Sequence, residues 1–126
     1  MITASLNDYR QSPWKVRLVA NLIKGKTADQ AVTLLTFTVK EAAGPLKALL
    51  LSALANAKHN FNIDGANLYV KELLVNPGVV LKRSMPRARG SAYPIRKRTS
   101  HVHLTLAVRE PKAAKAPKAK TVKAKK

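Results

Sequence analysis

Residues 81–98 have the sequence LKRSMPRARGSAYPIRKR and lie between two segments with the composition of β-strands. They include seven basic residues, two prolines and one glycine, and no acidic residue. The like charges repel one another, and outside a strand ladder the backbone groups would have few partners within the protein. Connections of this length in compact domains usually have a function. The segment therefore predicts a long connection that lies against a densely anionic surface, and folded RNA is the obvious candidate.

The segments on either side of this connection predict an antiparallel hairpin. Residues 101–109 alternate apolar and polar side chains, the pattern of a strand with one buried face. Residues 68–75 are rich in β-forming side chains, although Glu72 interrupts one face. A weaker alternation over residues 2–7 predicts a further short strand.

The first helix has clear start and stop signals. Ser12 is a suitable N-cap, Pro13 suits the first helical position, and Gly25 stands where a helix should end. Between them, apolar residues recur with the spacing of one helical face. This predicted face consists of Val16, Val19, Ala20 and Ile23.

Capping patterns predict two more helices. Thr27 with Gln30 opens a short second helix, and Thr38 with Glu41 repeats the pattern before a longer third helix. An interior proline costs about 3 kcal/mol or more. The Gly–Pro pair at residues 44–45 therefore leaves two alternatives: the third helix starts near this pair, or its first turn is kinked. The predicted buried faces are Ala28, Ala31, Val32 and Leu35 in the second helix, and Leu46, Leu49, Leu50, Ala53, Leu54 and Ala57 in the third.

These elements predict an α+β domain with three helices and a small antiparallel sheet. We expect the domain to cover residues 1–110. From residue 111 onward alanine, lysine and proline dominate, with seven lysines and no acidic residue. This tail lacks the apolar content that would offset chain entropy, so we expect residues 111–126 to be disordered.

The charge balance restricts the class of partner. The 126 residues include 24 basic and 6 acidic side chains, a formal net charge of +18. Self-repulsion opposes compaction, so such a charge usually indicates a polyanion, either nucleic acid or an anionic membrane. No apolar run approaches the ~18 residues of a membrane span, and the N-terminus has no signal-peptide pattern. These features favour a nucleic-acid partner. The chain has no cysteine, which fits a reducing compartment, so we expect the cytosol or the interior of an organelle.

Nothing in the sequence predicts catalysis, a cofactor or a metal site. Six scattered acidic residues offer little for general acid–base chemistry, and no nucleophile–base grouping is present. His101 and His103 form a His-x-His pattern without an evident third ligand, so a surface or RNA-facing position is expected. Residues 25–27 resemble the end of a phosphate-binding loop but join two helices.

A second basic group surrounds the first helix, and part of it could be ordinary solvated surface. Trp14 allows two interpretations, a stacking aromatic or a residue that packs at the helix end. The tail lysines could neutralise phosphates nonspecifically or only improve solubility. The basic group consists of Arg10, Lys15, Arg17, Lys24 and Lys26.

Three segments of the chain carry recognisable motifs: residues 12–26, residues 52–60, and residues 82–90 continued by Ile95 and residues 97–101. They resemble, in this order, the first helix, the end of the long helix and the basic hairpin of the large-subunit ribosomal protein twenty-two family of the bacterial type. The motifs occur in the expected order over residues 1 to about 110. The resemblance implies three helices and a three-stranded antiparallel sheet that carries an extended β-hairpin at residues 78–99.

The resemblance also implies a function. The expected protein is a structural constituent of the large ribosomal subunit that binds large-subunit rRNA, aids assembly and lines the polypeptide exit tunnel with its hairpin tip. The implied partners are that rRNA, neighbouring large-subunit proteins including ribosomal protein four, and the nascent polypeptide, with no membrane. The implied location is the cytoplasmic ribosome, with an organellar ribosome as the alternative.

The resemblance and the charge pattern together give the expected contact residues. By motif, the hairpin contacts to RNA are Lys82, Arg83, Arg87, Arg89, Lys97 and Arg98. The charge pattern adds Arg96 and the five basic residues around the first helix. The tip that faces the tunnel consists of Met85, Pro86, Gly90, Ser91 and Ala92.

The chain differs from the family pattern at a few positions. The family usually has arginine where this chain has Ser91, and Pro94, beside Tyr93, occupies another commonly basic position. Trp14 replaces a frequently basic residue. We expect the changes at the tip to alter the electrostatics of the tunnel wall and to leave assembly to the remaining basic residues.

The alternative function is that of a histone-like protein that compacts nucleic acid. In that case the tail at residues 111–126 would be the main binding element. Deletion of the tail separates the two hypotheses, because the ribosomal one retains binding through the hairpin.

Overall fold

The computed structural model describes residues 2–108 of the chain. Its elements confirm the predicted α+β class, while the predicted disordered tail at 111–126 lies outside the described residues. Short 3₁₀ turns at Gly65–Asn67 and Ala88–Gly90 precede the last two strands. The elements are β1 (Ile2–Tyr9), α1 (Pro13–Ile23), α2 (Ala28–Phe37), α3 (Ala43–Phe61), β2 (Leu68–Pro86) and β3 (Ala92–Val108).

The three strands form one antiparallel sheet in the order β1-β3-β2. In β1, Ile2 pairs with Leu106 of β3. The pairing of β2 with β3 continues from Leu68–Val108 to Pro86–Ala92, so the ladder includes the basic segment. The expectation of an extended hairpin is therefore confirmed.

The interpretation of residues 81–98 as a connection without regular structure, made from the residues alone, is wrong. Over residues 80–98, β2 and β3 form a two-stranded ribbon, in which each strand supplies hydrogen-bonding partners for the backbone of the other. A two-stranded ribbon also exposes both of its faces, so the basic side chains reach solvent without burial. Neither the backbone pairing nor the exposure of the basic side chains requires the apolar alternation by which strands are recognised in a sequence.

The hydrophobic core lies between the helices and one face of the sheet. Leu50 and Ala53 of α3 and Leu68 of β2 are completely buried. The predicted apolar face of α1 is buried in full, whereas Val32 and Leu54 of the predicted faces are only half-buried. The strands contribute alternate residues to this core, namely Ile2, Val70, Leu73, Val75, Val102, Leu104 and Leu106.

A β-bulge explains why the apolar pattern of β2 is interrupted. The register with β3 shifts between Val70 and Glu72, so Lys71 is an extra residue on β2. Because the extra residue restores the alternation, Leu73 and Val75 face the core on the same side as Val70. Glu72 remains exposed.

The second predicted capping box is wrong. Thr38 ends α2, and its hydroxyl Oγ1 donates to the carbonyl of Leu34 at 2.7 Å. Helix α3 begins at Ala43, so Pro45 lies in its first turn, where the missing N–H has no intrahelical acceptor to lose. The helix therefore starts near the Gly–Pro pair, which decides between the two alternatives.

The predicted starts of α1 and α2 are at the observed positions. Ser12 and Thr27 are the N-cap residues, both with extended backbone, and neither side chain caps its helix by a hydrogen bond. Helix α1 ends at Ile23, and Gly25 adopts a positive φ of 76° just beyond it. None of the helices within residues 2–108 is long and apolar enough to cross a membrane.

Candidate nucleic-acid interface

The hairpin distributes its basic side chains over both faces of the ribbon. Residues directly opposite each other in an antiparallel pair project from the same face, and successive residues alternate between faces. Lys82 lies opposite Arg96, two residues along the strand from the pair formed by Val80 and Arg98. The other face carries Arg83, opposite Ile95, and Lys97, opposite Leu81.

These charges have no partners of opposite sign in the described part of the chain. Within residues 2–108, the contact found between a basic and an acidic side chain joins His101 Nε2 to Asp8 Oδ1 at 3.8 Å, is an ion pair only when His101 is protonated, and lies outside the basic segment. All seven basic side chains of residues 81–98 are exposed. Since like charges directly opposite each other destabilise a sheet, the pair of Lys82 and Arg96 opposes formation of the ribbon unless an anion lies between them.

The tip of the hairpin is a tight turn that displays two arginines. The backbone N–H of Arg87 donates to the carbonyl of Ser91 at 2.8 Å, and Ser91 Oγ donates to the carbonyl of Ala88 at 2.9 Å. Arg89 and Gly90 both adopt left-handed backbone conformations, with φ of 58° and 71°. Glycine adopts this conformation freely, whereas an L-residue such as arginine pays about 1 kcal/mol for it.

The residues predicted for the tip lie together at the end of the ribbon. Pro86 and Ala92 form the last strand pair, and Met85 lies opposite Tyr93. All are exposed, with 44% of Met85 and 62% of Tyr93 accessible, so this end presents mainly small or apolar side chains beside its arginines.

A second bulge lies where the ribbon leaves the core. Gly78 and Val79 together oppose Thr99, whose hydroxyl donates to the carbonyl of Val79 at 2.8 Å. A Cβ added to Gly78 would collide with Thr99 Oγ1 and approach His101 Nε2 to 3.0 Å. Only glycine fits here without a shift of its neighbours. Sequence reasoning missed this bulge, although a glycine inside a strand segment is a recognised signal for one.

A bulge in β1 lies opposite the same part of β3. The register shifts between Leu6 and Tyr9, and Asp8 adopts a positive φ of 54°. The N–H of Asp8 donates to Nδ1 of His101 at 3.2 Å. His101 therefore has a structural contact, while His103 is exposed, and residues 2–108 contain no cluster of three potential metal ligands.

A basic cleft forms where the start of α1 faces the base of the hairpin. It has a volume of about 510 Å³ and brings together two groups of residues that are far apart in sequence. Glu41 also borders the cleft, and its carboxylate accepts a hydrogen bond from Gln11 Nε2 at 3.1 Å. Burial, with a further contribution from Glu41, raises the pKa of the neighbouring Tyr9 hydroxyl. The basic residues of the cleft are Arg10, Lys15, Arg96, Lys97 and Arg98.

The rest of the predicted basic group does not reach this cleft. Arg17 is half-buried, and its Nε and Nη2 donate to the carbonyl of Val75 at 3.1 and 2.8 Å, which ties α1 to β2. Lys24 and Lys26 are exposed beyond the far end of α1, about 16 Å from its start at 1.5 Å per residue.

The exposure of Trp14 argues against one of its two interpretations. The side chain is 74% exposed, so it does not pack against the helix end. Its ring lies 5.5 Å from the guanidinium carbon of Arg17, within the range of a cation–π contact. An exposed indole held by an arginine is available for stacking.

Comparison with known proteins gives the family. The sequence model of the family described as ribosomal protein L22p/L17e matches residues 4–107. The chain belongs to this family. The predicted family membership is thus confirmed, and the matched range includes all three helices and the basic segment at residues 81–98.

Members of the L22p/L17e family from several bacteria are similar to most of this chain. The large ribosomal subunit protein uL22 of Lactobacillus delbrueckii subsp. bulgaricus is 52% identical over 99 residues, which cover 79% of this chain and 85% of the relative. The protein of the same name from Acholeplasma laidlawii is 48% identical over 101 residues, covering 80% and 91%. That from Lacticaseibacillus casei is 44% identical over 108 residues, covering 86% and 92%.

Proposed function

We propose that this protein is a structural constituent of the large ribosomal subunit, which binds large-subunit rRNA and aids its assembly. The observation that carries the proposal is the hairpin: exposed cations on both faces of a two-stranded ribbon, none of them paired with an acidic group among residues 2–108. Family membership and the names of the bacterial relatives support the same assignment.

A ribbon of this kind suits a position between RNA segments. Its strands extend from Val80 to Pro86 on one side, roughly 20 Å at 3.3 Å per residue. Phosphates on either side would meet guanidinium forks, which bind phosphate bidentately and stack on unpaired bases. By reducing phosphate repulsion between neighbouring RNA segments, the ribbon would stabilise their packing. Recognition would then depend mainly on RNA shape and backbone.

The basic cleft would provide the second part of the same surface. Arg10 and Lys15 lie across from Arg96 and Arg98, so an RNA backbone that follows the ribbon would meet cations from both elements. The contact surface that we propose therefore includes the seven basic residues of the hairpin together with Arg10 and Lys15. The tie between Arg17 and Val75 would hold α1 in position beside it.

The tip would line the polypeptide exit tunnel. Its exposed Gly90, Ser91 and Ala92 are small and uncharged, which suits a wall that a nascent polypeptide passes without adhering. In this arrangement the partners are large-subunit rRNA, neighbouring proteins such as ribosomal protein four, and the nascent chain. The role is structural, without catalysis or a cofactor, and the proposed location is the cytoplasmic ribosome.

The salt dependence of RNA binding tests this proposal. Replacement of Arg87 and Arg89 by alanine should weaken binding to a large-subunit rRNA fragment and flatten the log–log dependence of affinity on salt by roughly 0.7–0.9 per lost phosphate contact. The double variant Lys40→Ala/Lys58→Ala removes the same charge from the loop after α2 and from α3, and should change the slope less. Equal slopes for wild type and the arginine variant would remove the tip from the RNA interface.

A further inference from the structure

A small pocket lies at the foot of the hairpin, beside the larger basic cleft, with which it shares Arg98. It has a volume of about 160 Å³ and is formed by the first turn of α1 and the bulged part of β2. Trp14 and Arg17 border it on the helix side, Pro77 and Gly78 on the strand side, and Arg98 reaches it from β3. We propose that this pocket receives one unstacked nucleobase of an RNA strand, with Trp14 as the stacking surface and Arg98 as the contact to an adjoining phosphate. The inference rests on the proposed rRNA-binding function and assigns one site within it.

Trp14 is exposed in a way that folding alone does not explain. It is the largest side chain in the sequence, yet 74% of it is accessible, although it borders the pocket. An exposed indole contributes little to folding, because burial of apolar surface is the source of its stabilising effect. Every nucleobase has a flat π-face that can stack on an aromatic ring without regard to sequence.

Arg17 acts as a positioning residue for the indole. Two of its five N–H donors are bound to the carbonyl of Val75, which fixes the guanidinium beside the ring of Trp14. The ring is therefore held in place before a ligand arrives, and less side-chain entropy is lost on binding.

The size and charge of the pocket point to a nucleotide. An apolar cavity of about 150 Å³ accommodates a benzene ring, so this pocket suits a single flat ring system. Two guanidinium groups line it and no acidic residue does. A flat ring attached to an anionic group matches this combination, whereas an apolar side chain of a protein partner would leave both cations without compensation.

Trp14 is also the only tryptophan of the 126 residues, so its fluorescence reports on this site alone. The experiment uses the full chain with two single-stranded RNA probes of equal length, an oligoadenylate and its abasic ribose-phosphate counterpart. The oligoadenylate should quench the emission in a saturable manner, and the abasic strand should bind with little quenching. Binding of both strands is followed independently by anisotropy of a dye on the RNA.

Two variants separate stacking from charge. Trp14→Leu should weaken oligoadenylate binding by about tenfold, leave abasic-strand binding and the salt slope unchanged, and Trp14→Phe should restore most of the loss. Arg98→Gln should weaken the binding of both RNA strands and flatten the dependence of their affinity on salt. Trp14 is exposed, so circular dichroism should show that its variants keep the fold.

The outcomes distinguish this inference from the function on which it rests. Equal quenching by both strands, or oligoadenylate binding with a normal salt slope and no quenching, would overturn the nucleobase pocket and leave rRNA binding intact. The second result would instead favour a protein side chain as the occupant. Failure of both strands and of a large-subunit rRNA fragment to bind at low salt would overturn both proposals.

Discussion

The two ends of strand β3 differ in the burial and the charge of their side chains. Between Ser100 and Leu106, every second residue is at most 1% exposed, and its neighbours on the other face are accessible. Between Ala92 and Arg98, the same strand has no buried residue and carries three cations. One backbone ladder thus supports a core at one end and a charged surface at the other. The first end is stabilised by burial within the protein, and the second carries charges that have no acidic partner among residues 2–108.

This comparison predicts that substitutions at buried positions destabilise the core, which is the first of the two regions, and do not affect the charged end of the hairpin. Leu50→Ala, at a fully buried position of α3, should lower the free energy of unfolding by about 2–5 kcal/mol, since it leaves a cavity among the helices. Denaturant unfolding measures the change. Leu51→Ala is the matched control, because its side chain is 47% exposed and the expected cost is below about 1 kcal/mol. Equal losses for the two variants would contradict the described position of the core.

The junction between the two regions should be sensitive to a single methyl group. Gly78→Ala places a Cβ against the hydroxyl of Thr99, which is buried and bonded to Val79, so the bulge must distort at a cost of about 1–3 kcal/mol. Unfolding and amide exchange at the hairpin base measure this effect. Gly65→Ala, whose added Cβ would meet Leu54 Cδ2 at an ordinary contact distance of 3.5 Å, should change the free energy of unfolding by less than about 0.5 kcal/mol. If both alanines are tolerated equally, the bulge does not depend on close approach at Gly78.

The charged end should respond to one substitution with two effects of opposite sign. Lys82→Glu replaces a like-charge pair with Arg96 by an attractive one, so the free hairpin should gain roughly 0.2–1 kcal/mol. The same change should weaken rRNA binding, because a phosphate contact is lost and a repulsive charge is added. Amide exchange of the ribbon and RNA affinity are measured side by side, with Lys40→Glu as the charge-matched control. Tighter RNA binding by the Lys82 variant would contradict the proposed role of the ribbon.

The regular elements could be predicted from local sequence. Ser12, Pro13 and Gly25 mark α1 correctly, and the alternation of Val102, Leu104 and Leu106 places β3 with its buried face. These signals are local, because they depend on helix ends and on side-chain period.

The remaining features depend on pairs of residues that are distant in sequence. The ladder of the basic segment joins Lys82 to Arg96, and neither residue type indicates a strand by itself. The hydrogen bonds from Arg17 to Val75 span 58 positions and could not be inferred from either segment. The basic cleft is likewise a product of tertiary structure, although charge counting identified all of its cations.

The central claim, that the hairpin integrates this protein into the large ribosomal subunit, is tested most directly by sedimentation. Tagged wild type, a chain truncated after residue 110, and a Lys82/Arg96/Arg98→Gln variant are run from cell lysate through a high-salt sucrose gradient. The account predicts that wild type and the truncated chain migrate with the large subunit after the salt wash, and that the glutamine variant is lost from it. Loss of the truncated chain with retention of the glutamine variant, or wild type found only in free or DNA-containing fractions, would contradict the account and favour a histone-like protein that binds through its tail.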